Sequence, residues 1–226
     1  MIEIIATTPE DARIIEACGA DRIELISAFS EGGLTPSYGM IERVLQVVKI
    51  PVNVMIRPHS KSFAYTKEEI EVMKRDITVV KELGANGVVF GVLNENGEIC
   101  EKSIKELIEL CSGLDITFHR AIDELADLVN GVKVLSKYPQ IKTVLTSGGK
   151  GSIAENTSII KDMIKSSDHI NVMLGGGLSF ENVEQIIKET GALEYHFGTA
   201  VRFNKSVHGD IDKERLKELI KIVNGK

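Results

Sequence analysis

A closed (β/α)8 barrel of the TIM type is the fold class that the sequence predicts, on three observations. Eight short β-branched runs recur along the 226 residues: IEII, RIELI, VNVMI, GVVF, DITF, TVLT, INVML and EYHF. Each is followed by a longer stretch of helical period, so one unit takes roughly 20 to 35 residues, the length of a strand with its crossover helix. No strand leads into GxGxxG, and GGKGS around Lys150 lacks the phosphate-loop pattern, so the nucleotide signatures of open sheets are missing. Parallel strands joined by right-handed crossovers build an open sheet or a closed barrel, and a count of eight favours closure. No linker or charge run divides the chain, and residues 1–226 are read as one domain.

In the first unit IEII leads to Thr8-Pro9, a helix start with proline in its first turn, and Gly19 stops the helix. The second strand, RIELI, runs into the loop EGGLTPS. After the third, VNVMI, come Thr66 and Glu69, spaced as a capping box, then a helix with Ile70, Met73, Ile77, Val80 and Leu83 on one face, then Gly84. GVVF and DITF follow as the fourth and fifth strands. The last three, TVLT, INVML and EYHF, run into the glycine-bearing turns TSGGKGS, LGGGLS and FGTAVR. All five prolines, at 9, 36, 51, 58 and 139, fall at element boundaries, as a residue without a backbone N–H requires.

A net charge of -6 and a pI near 5.5 argue against nucleic acid as a partner, because that affinity rests on clustered Lys and Arg. MIEIIATTPEDA has no basic leader, and no apolar run is long enough to cross a bilayer, so a cytoplasmic protein without membrane contact is expected. Cys18, Cys100 and Cys111 are odd in number and far apart, which points to reduced thiols rather than a disulfide framework or metal clip.

Strand alternation sorts side chains between the helices and the barrel interior. With Ile116 and Phe118 against the helices, His119 turns inward at its strand's C-terminal end. By the same rule Ile23, Leu25, Val52, Val54, Ile56, Tyr195 and Phe197 point outward, while Glu24, Asn53, Arg57 and His196 point inward. Barrel interiors are normally layers of branched apolar residues, so Glu24, Arg57, His119 and His196 near strand ends need a reason. One reason is structural: a Glu24–Arg57 ion pair and satisfied core histidines. The other is a site at the C-terminal mouth, where barrels of this type place their chemistry. Glu3, Arg22 and Glu194, nearer the opposite end, are read as structural.

The three late turns point to an anion cradle, at Ser147, Gly148, Gly149, Gly175, Gly176, Gly177, Gly198 and Thr199, with Arg202 close by. Glu24 as base, His119 or His196 as acid and Arg57 as anion holder would suit proton transfer next to a carbonyl. An enzyme of isomerase, lyase or hydrolase type, acting on a small anionic or phosphorylated metabolite, is therefore one expectation. Alternatively His59, His119, His196 and Glu24 form a nitrogen and oxygen metal site suited to Zn2+ or Cu2+. No lysine projects from the mouth end of a strand as Schiff-base chemistry requires, and neither HExxH nor GxSxG occurs.

GADRIEL, EGGLTPS, MIRP, GVVFGVL, TFHRAID and LTSGG, spread over nearly the whole chain, resemble the CutC copper homeostasis protein family. The resemblance implies a barrel, a cytoplasmic location, homo-oligomers, and a part in copper binding or tolerance, with copper as the implied ion. It places mouth residues at Glu24, Arg57, His119, Arg120 and Asp123. The chain also departs from the family. IEIIATT and ELISA lack cysteines that members carry, and RPHSKSF stands where RPRGGDF is common. Cu+ prefers thiolate and thioether ligands, so the missing cysteines weigh against direct ligation; inward Met55 and Met173 read as core fillers.

Overall fold

The computed structural model describes residues 1–225. Eight parallel strands close a barrel in sequence order: β1 Ile2–Ala6, β2 Arg22–Leu25, β3 Val52–Met55, β4 Gly87–Phe90, β5 Asp115–Phe118, β6 Ile141–Thr146, β7 Asn171–Leu174 and β8 Glu194–Phe197. Between and after them lie α1 Pro9–Cys18, α2 Tyr38–Val47, α3 Lys67–Glu82, α4 Glu101–Ile108, α5 Leu128–Leu135, α6 Thr157–Ser166, α7 Val183–Thr190 and α8 Lys213–Val223. Closure leaves no unpaired sheet edge. No helix among the described residues is long and apolar enough to cross a membrane.

The local signals act as read. The Thr8 hydroxyl accepts the Asp11 N–H at 3.0 Å, Pro9 opens α1, and Gly19 closes it at φ +88°. The Thr66 hydroxyl accepts the Glu69 N–H while the Glu69 carboxylate accepts the Thr66 N–H, the reciprocal box that starts α3. Ile70, Met73, Ile77 and Val80 bury one stripe of that helix, with Leu83 packed half-buried at its end.

Strand alternation holds around the barrel. Ile23, Leu25, Val52, Val54, Ile56, Ile116, Phe118, Tyr195 and Phe197 all belong to the main core between sheet and helices. At about 1.5–3 kcal/mol for each fully buried large apolar side chain, this layer carries most of the fold's stabilisation. Inside the barrel a second, small cluster of Ile5, Ile26, Met55 and Val89 forms the floor beneath the mouth. Arg22 Nη2 lies 3.5 Å from the Met173 sulfur, which fills core space as expected. The strand-to-helix side carries one-turn 3₁₀ helices that periodicity does not reveal; Arg120–Glu124, straight after β5, matters most for the site.

Candidate active site at the barrel mouth

A cavity of about 640 Å³ opens at the C-terminal ends of the strands, a size suited to a small molecule. Glu24, Arg57, His119, Arg120, Asp123 and His196 all line it, so the structure brings together every catalytic candidate read from the sequence.

His119 is set by its own backbone. The chain turns into the 3₁₀ helix immediately after it, and the Ala121 N–H donates to Nδ1 at 3.2 Å. That bond makes Nδ1 the acceptor and leaves the proton of a neutral ring on Nε2. Burial, with the Arg57 and Arg120 charges adding to it, pushes the imidazole down to about 3, so the ring is neutral at physiological pH. The ring stands 4.8 Å from Phe63, and it lies so close to Gly91 that a methyl there would sit 2.5 Å from Nδ1. Nε2 is buried and has no partner.

Glu24 presents the complementary group. Its Oε2 lies 3.7 Å from His196 Nε2, and its Oε1 is buried without a partner. Burial raises this carboxyl to about 7, against the opposing pull of the His196 charge. His196 is held from behind: its Nδ1 meets Glu3 Oε1 at 2.7 Å, and Arg22 Nε donates to Glu3 Oε2 at 2.5 Å. Burial alone would depress the imidazole, but the Glu24 and Glu3 carboxylates outweigh it and hold it raised. Burial would likewise raise Glu3, yet Arg22 and His196 keep it below the ordinary carboxylate range. Glu3 therefore belongs to the site's support. Glu3 lies below the cavity lining, on the structural side where the sequence puts it, and register brings it to the site: it pairs with both Arg22 and His196, because the barrel's stagger brings the second residue of β1 level with the third of β8.

The Glu24–Arg57 ion pair does not form. Arg57 Nη1 instead donates to the carbonyls of Glu31 and Gly33, at 3.0 and 3.2 Å, and the guanidinium lies 4.7 Å above the Phe63 ring. This accounts for EGGLTPS: Gly32 and Gly33, at φ +81° and +92°, bend the loop so that its carbonyls meet the arginine. The Arg57 Nε remains unpartnered.

Asp123 fills a cradle expected to take an external anion. Its Oδ1 accepts from the Thr146 hydroxyl at 2.5 Å and from the Gly149 N–H at 3.2 Å. Its Oδ2 accepts from the Ser147 N–H and hydroxyl, at 3.0 and 2.8 Å, and from Arg120 Nε at 2.9 Å. The Gly148 N–H is taken by the Thr146 hydroxyl and that of Gly175 by the Thr146 carbonyl. Ser147, Gly148 and Gly175 do not line the cavity, whereas Gly149, Gly176, Gly177, Gly198 and Thr199 do. Among the described residues, the N–H groups of Gly176, Gly177 and Gly198 have no hydrogen-bond acceptor. The half-exposed Arg120 guanidinium packs over Gly176. Arg202 is turned away, paired with Asp11 at 2.8 Å.

The four-ligand metal site is not assembled. His59 pairs with Glu69 at 3.0 Å, lies 5.2 Å from the tilted Tyr65 ring, and is outside the cavity lining. Among the described residues, Glu3, Glu24 and His196 are the one group of such donors close enough to share an ion. They do not fit a resident cation, because both Glu3 oxygens are engaged and the Arg22 guanidinium stands against them. The thiols are dispersed as well: Cys18, Cys100 and Cys111 are free, and none lines the cavity.

Comparison with known proteins gives the family and agrees with the barrel fold. A family model described as the CutC family matches residues 1–201. The human copper homeostasis protein cutC homolog is 43% identical over 197 residues, covering 87% of this chain and 72% of that protein. A CutC family protein of Pasteurella multocida is 37% identical over 196 residues, 86% of this chain and 80% of its own length. The CutC crystal structure from Streptococcus agalactiae superposes with a TM-score of 0.82 at 32% identity, over 88% of this chain and 97% of that one. Phosphoribosylanthranilate isomerase from Thermotoga maritima, at 16% identity and TM-score 0.69, shares the barrel fold alone.

Proposed function

The chain belongs to the CutC family of copper homeostasis proteins, and on that premise we propose that it serves copper homeostasis by binding a small anionic molecule in the barrel mouth. Glu24, Arg57, His119, Arg120, Asp123 and His196 are its working residues. The proposal includes a cytoplasmic location, homo-oligomers and contact with copper ions as cargo, which the family resemblance implies. One observation carries it: Glu24 and His119, whose Oε1 and Nε2 are buried and unpartnered, line the same cavity as Gly176, Gly177 and Gly198, whose N–H groups have no acceptor among the described residues. An orphaned buried polar atom costs about 1–3 kcal/mol, a cost that a ligand offering matching groups removes. Resident Cu+ finds few soft donors here, since no thiol lines the cavity and Met55, packed in the barrel's inner apolar cluster, supplies its one thioether.

Copper tolerance in cells lacking the gene tests this. The Cys18→Ser, Cys100→Ser, Cys111→Ser triple variant is expected to restore tolerance, and His119→Ala or Arg120→Ala to fail at equal protein level. Failure of the triple variant alongside rescue by both mouth variants would overturn the reading.

A further inference from the structure

Resting on the anion-binding reading above, we propose that the cavity catalyses reversible proton abstraction next to the carbonyl of a small carboxylated or phosphorylated compound, with Glu24 as base and His119 as hydrogen-bond donor to the carbonyl oxygen. The geometry separates roles that the sequence leaves shared between two histidines. His196 has Nδ1 committed to Glu3 and Nε2 facing Glu24, so it positions and tunes the base. His119 has one free ring nitrogen, and its tautomer makes that atom a donor. A buried acceptor on β2 and a buried donor after β5 thus face one cavity. They match the two needs of enolisation: an acceptor for the departing proton and a donor for the oxygen that gains charge.

A neutral imidazole suits the donor role because it stabilises the enolate without protonating it outright. A carboxyl raised to about 7 by burial suits the base, being ionised in useful proportion near neutral pH while still able to return the proton. The groups acting on it are Arg22 on its own strand, Glu3 from β1 and His196 from β8, with Arg57 lining the same cavity. The amides of Gly176, Gly177 and Gly198, with Arg120 alongside, lie at the β7 and β8 end of the cavity. They offer donors to the ligand's anionic group.

The step balances without a co-reactant. Glu24 Oε1 takes the proton as the C–H bond breaks; that electron pair forms the C=C bond, and the carbonyl π pair moves onto oxygen, which accepts the His119 Nε2–H bond. Glu24 exchanges its proton with solvent and returns one to carbon as the carbonyl re-forms.

Proton NMR in D2O at pH 7.5 tests this with dihydroxyacetone phosphate, pyruvate and uncharged dihydroxyacetone. Wild-type protein is expected to catalyse deuterium exchange at the carbon next to the carbonyl of an anionic probe and to leave the uncharged probe at the background rate. Identically purified Glu24→Gln should lose at least about 100-fold, and His196→Asn should shift the pH dependence upward, because removing the imidazolium raises Glu24 further. Exchange that persists unchanged in Glu24→Gln, or no exchange with either anionic probe, would overturn the proposal. Inorganic phosphate titration run alongside separates the two levels: binding without exchange sinks the chemistry alone, whereas no binding sinks the anion-site reading as well.

Discussion

Asp123 accepts both the backbone N–H and the hydroxyl of Ser147 on a single carboxylate oxygen, at 3.0 and 2.8 Å. The side chain occupies the turn after β6 as an external anion would, which leaves the turns after β7 and β8 as the open part of the mouth.

Replacing Asp123 with alanine should therefore strip acceptors from the Thr146 hydroxyl, Ser147 and Gly149 together. The expected loss is about 3 kcal/mol, the upper scale for leaving a buried polar donor unsatisfied, because several neutral donors lose their acceptor while the half-exposed Arg120 is met by water. Thermal melts with added formate check the assignment: formate should restore part of the lost stability in Asp123→Ala and do nothing for wild type.

Gly176 sits at φ +79°, and a methyl there would lie 2.5 Å from Arg120 Cζ. Gly176→Ala is expected to cost about 1–2 kcal/mol in backbone strain and to push the guanidinium off the mouth. Phosphate affinity measured by calorimetry should fall by about tenfold or more, which corresponds to roughly 1.4 kcal/mol.

Stability should carry the mark of Glu24. Its folded pKa, about 7, lies above its ordinary value of 4.5, so its contribution to folding is fully present below pH 4.5 and is lost as pH rises to 7. Raised His196 acts with the same sign. In denaturant unfolding, Glu24→Gln should gain on wild type between pH 5 and pH 8 by about 3 kcal/mol at most. Parallel pH curves for the two proteins would contradict the assignment.

His119 has the opposite sign. Its pKa is pushed down to about 3, so its contribution is present above pH 6.5 and is lost progressively as pH falls toward 3. Nitrogen-15 NMR should show a neutral ring protonated at Nε2 from pH 8 to pH 5; an imidazolium signal at pH 6 would be the contrary result.

Much of this was legible in the sequence, for a physical reason. A period of two fixes which face of a strand a residue takes, and so DITFH, RIEL and EYHF disclose His119, Glu24 and His196. It does not fix the level along the barrel axis, which stagger decides, and so the link from Glu3, a structural residue below the cavity, to His196 is not legible. Nor does it fix where long side chains go once they leave the sheet. Arg57 turned to the carbonyls of Glu31 and Gly33, Arg202 to Asp11, and His59 to Glu69. Asp123 was picked out by resemblance alone, and its role as the occupant of a glycine turn depends on a 3₁₀ helix without apolar periodicity.

The central claim, that the mouth recognises an anion and does not hold copper on thiols, is tested most directly by one paired titration of the purified protein. Cu+ is titrated anaerobically against a chromophoric competitor, with phosphate followed by calorimetry on the same sample. Measurable phosphate binding that Arg120→Ala removes, with Cu+ held no more tightly by wild type than by the triple cysteine variant, is the predicted result. Tight Cu+ binding lost with the cysteines, and no phosphate binding, would contradict it.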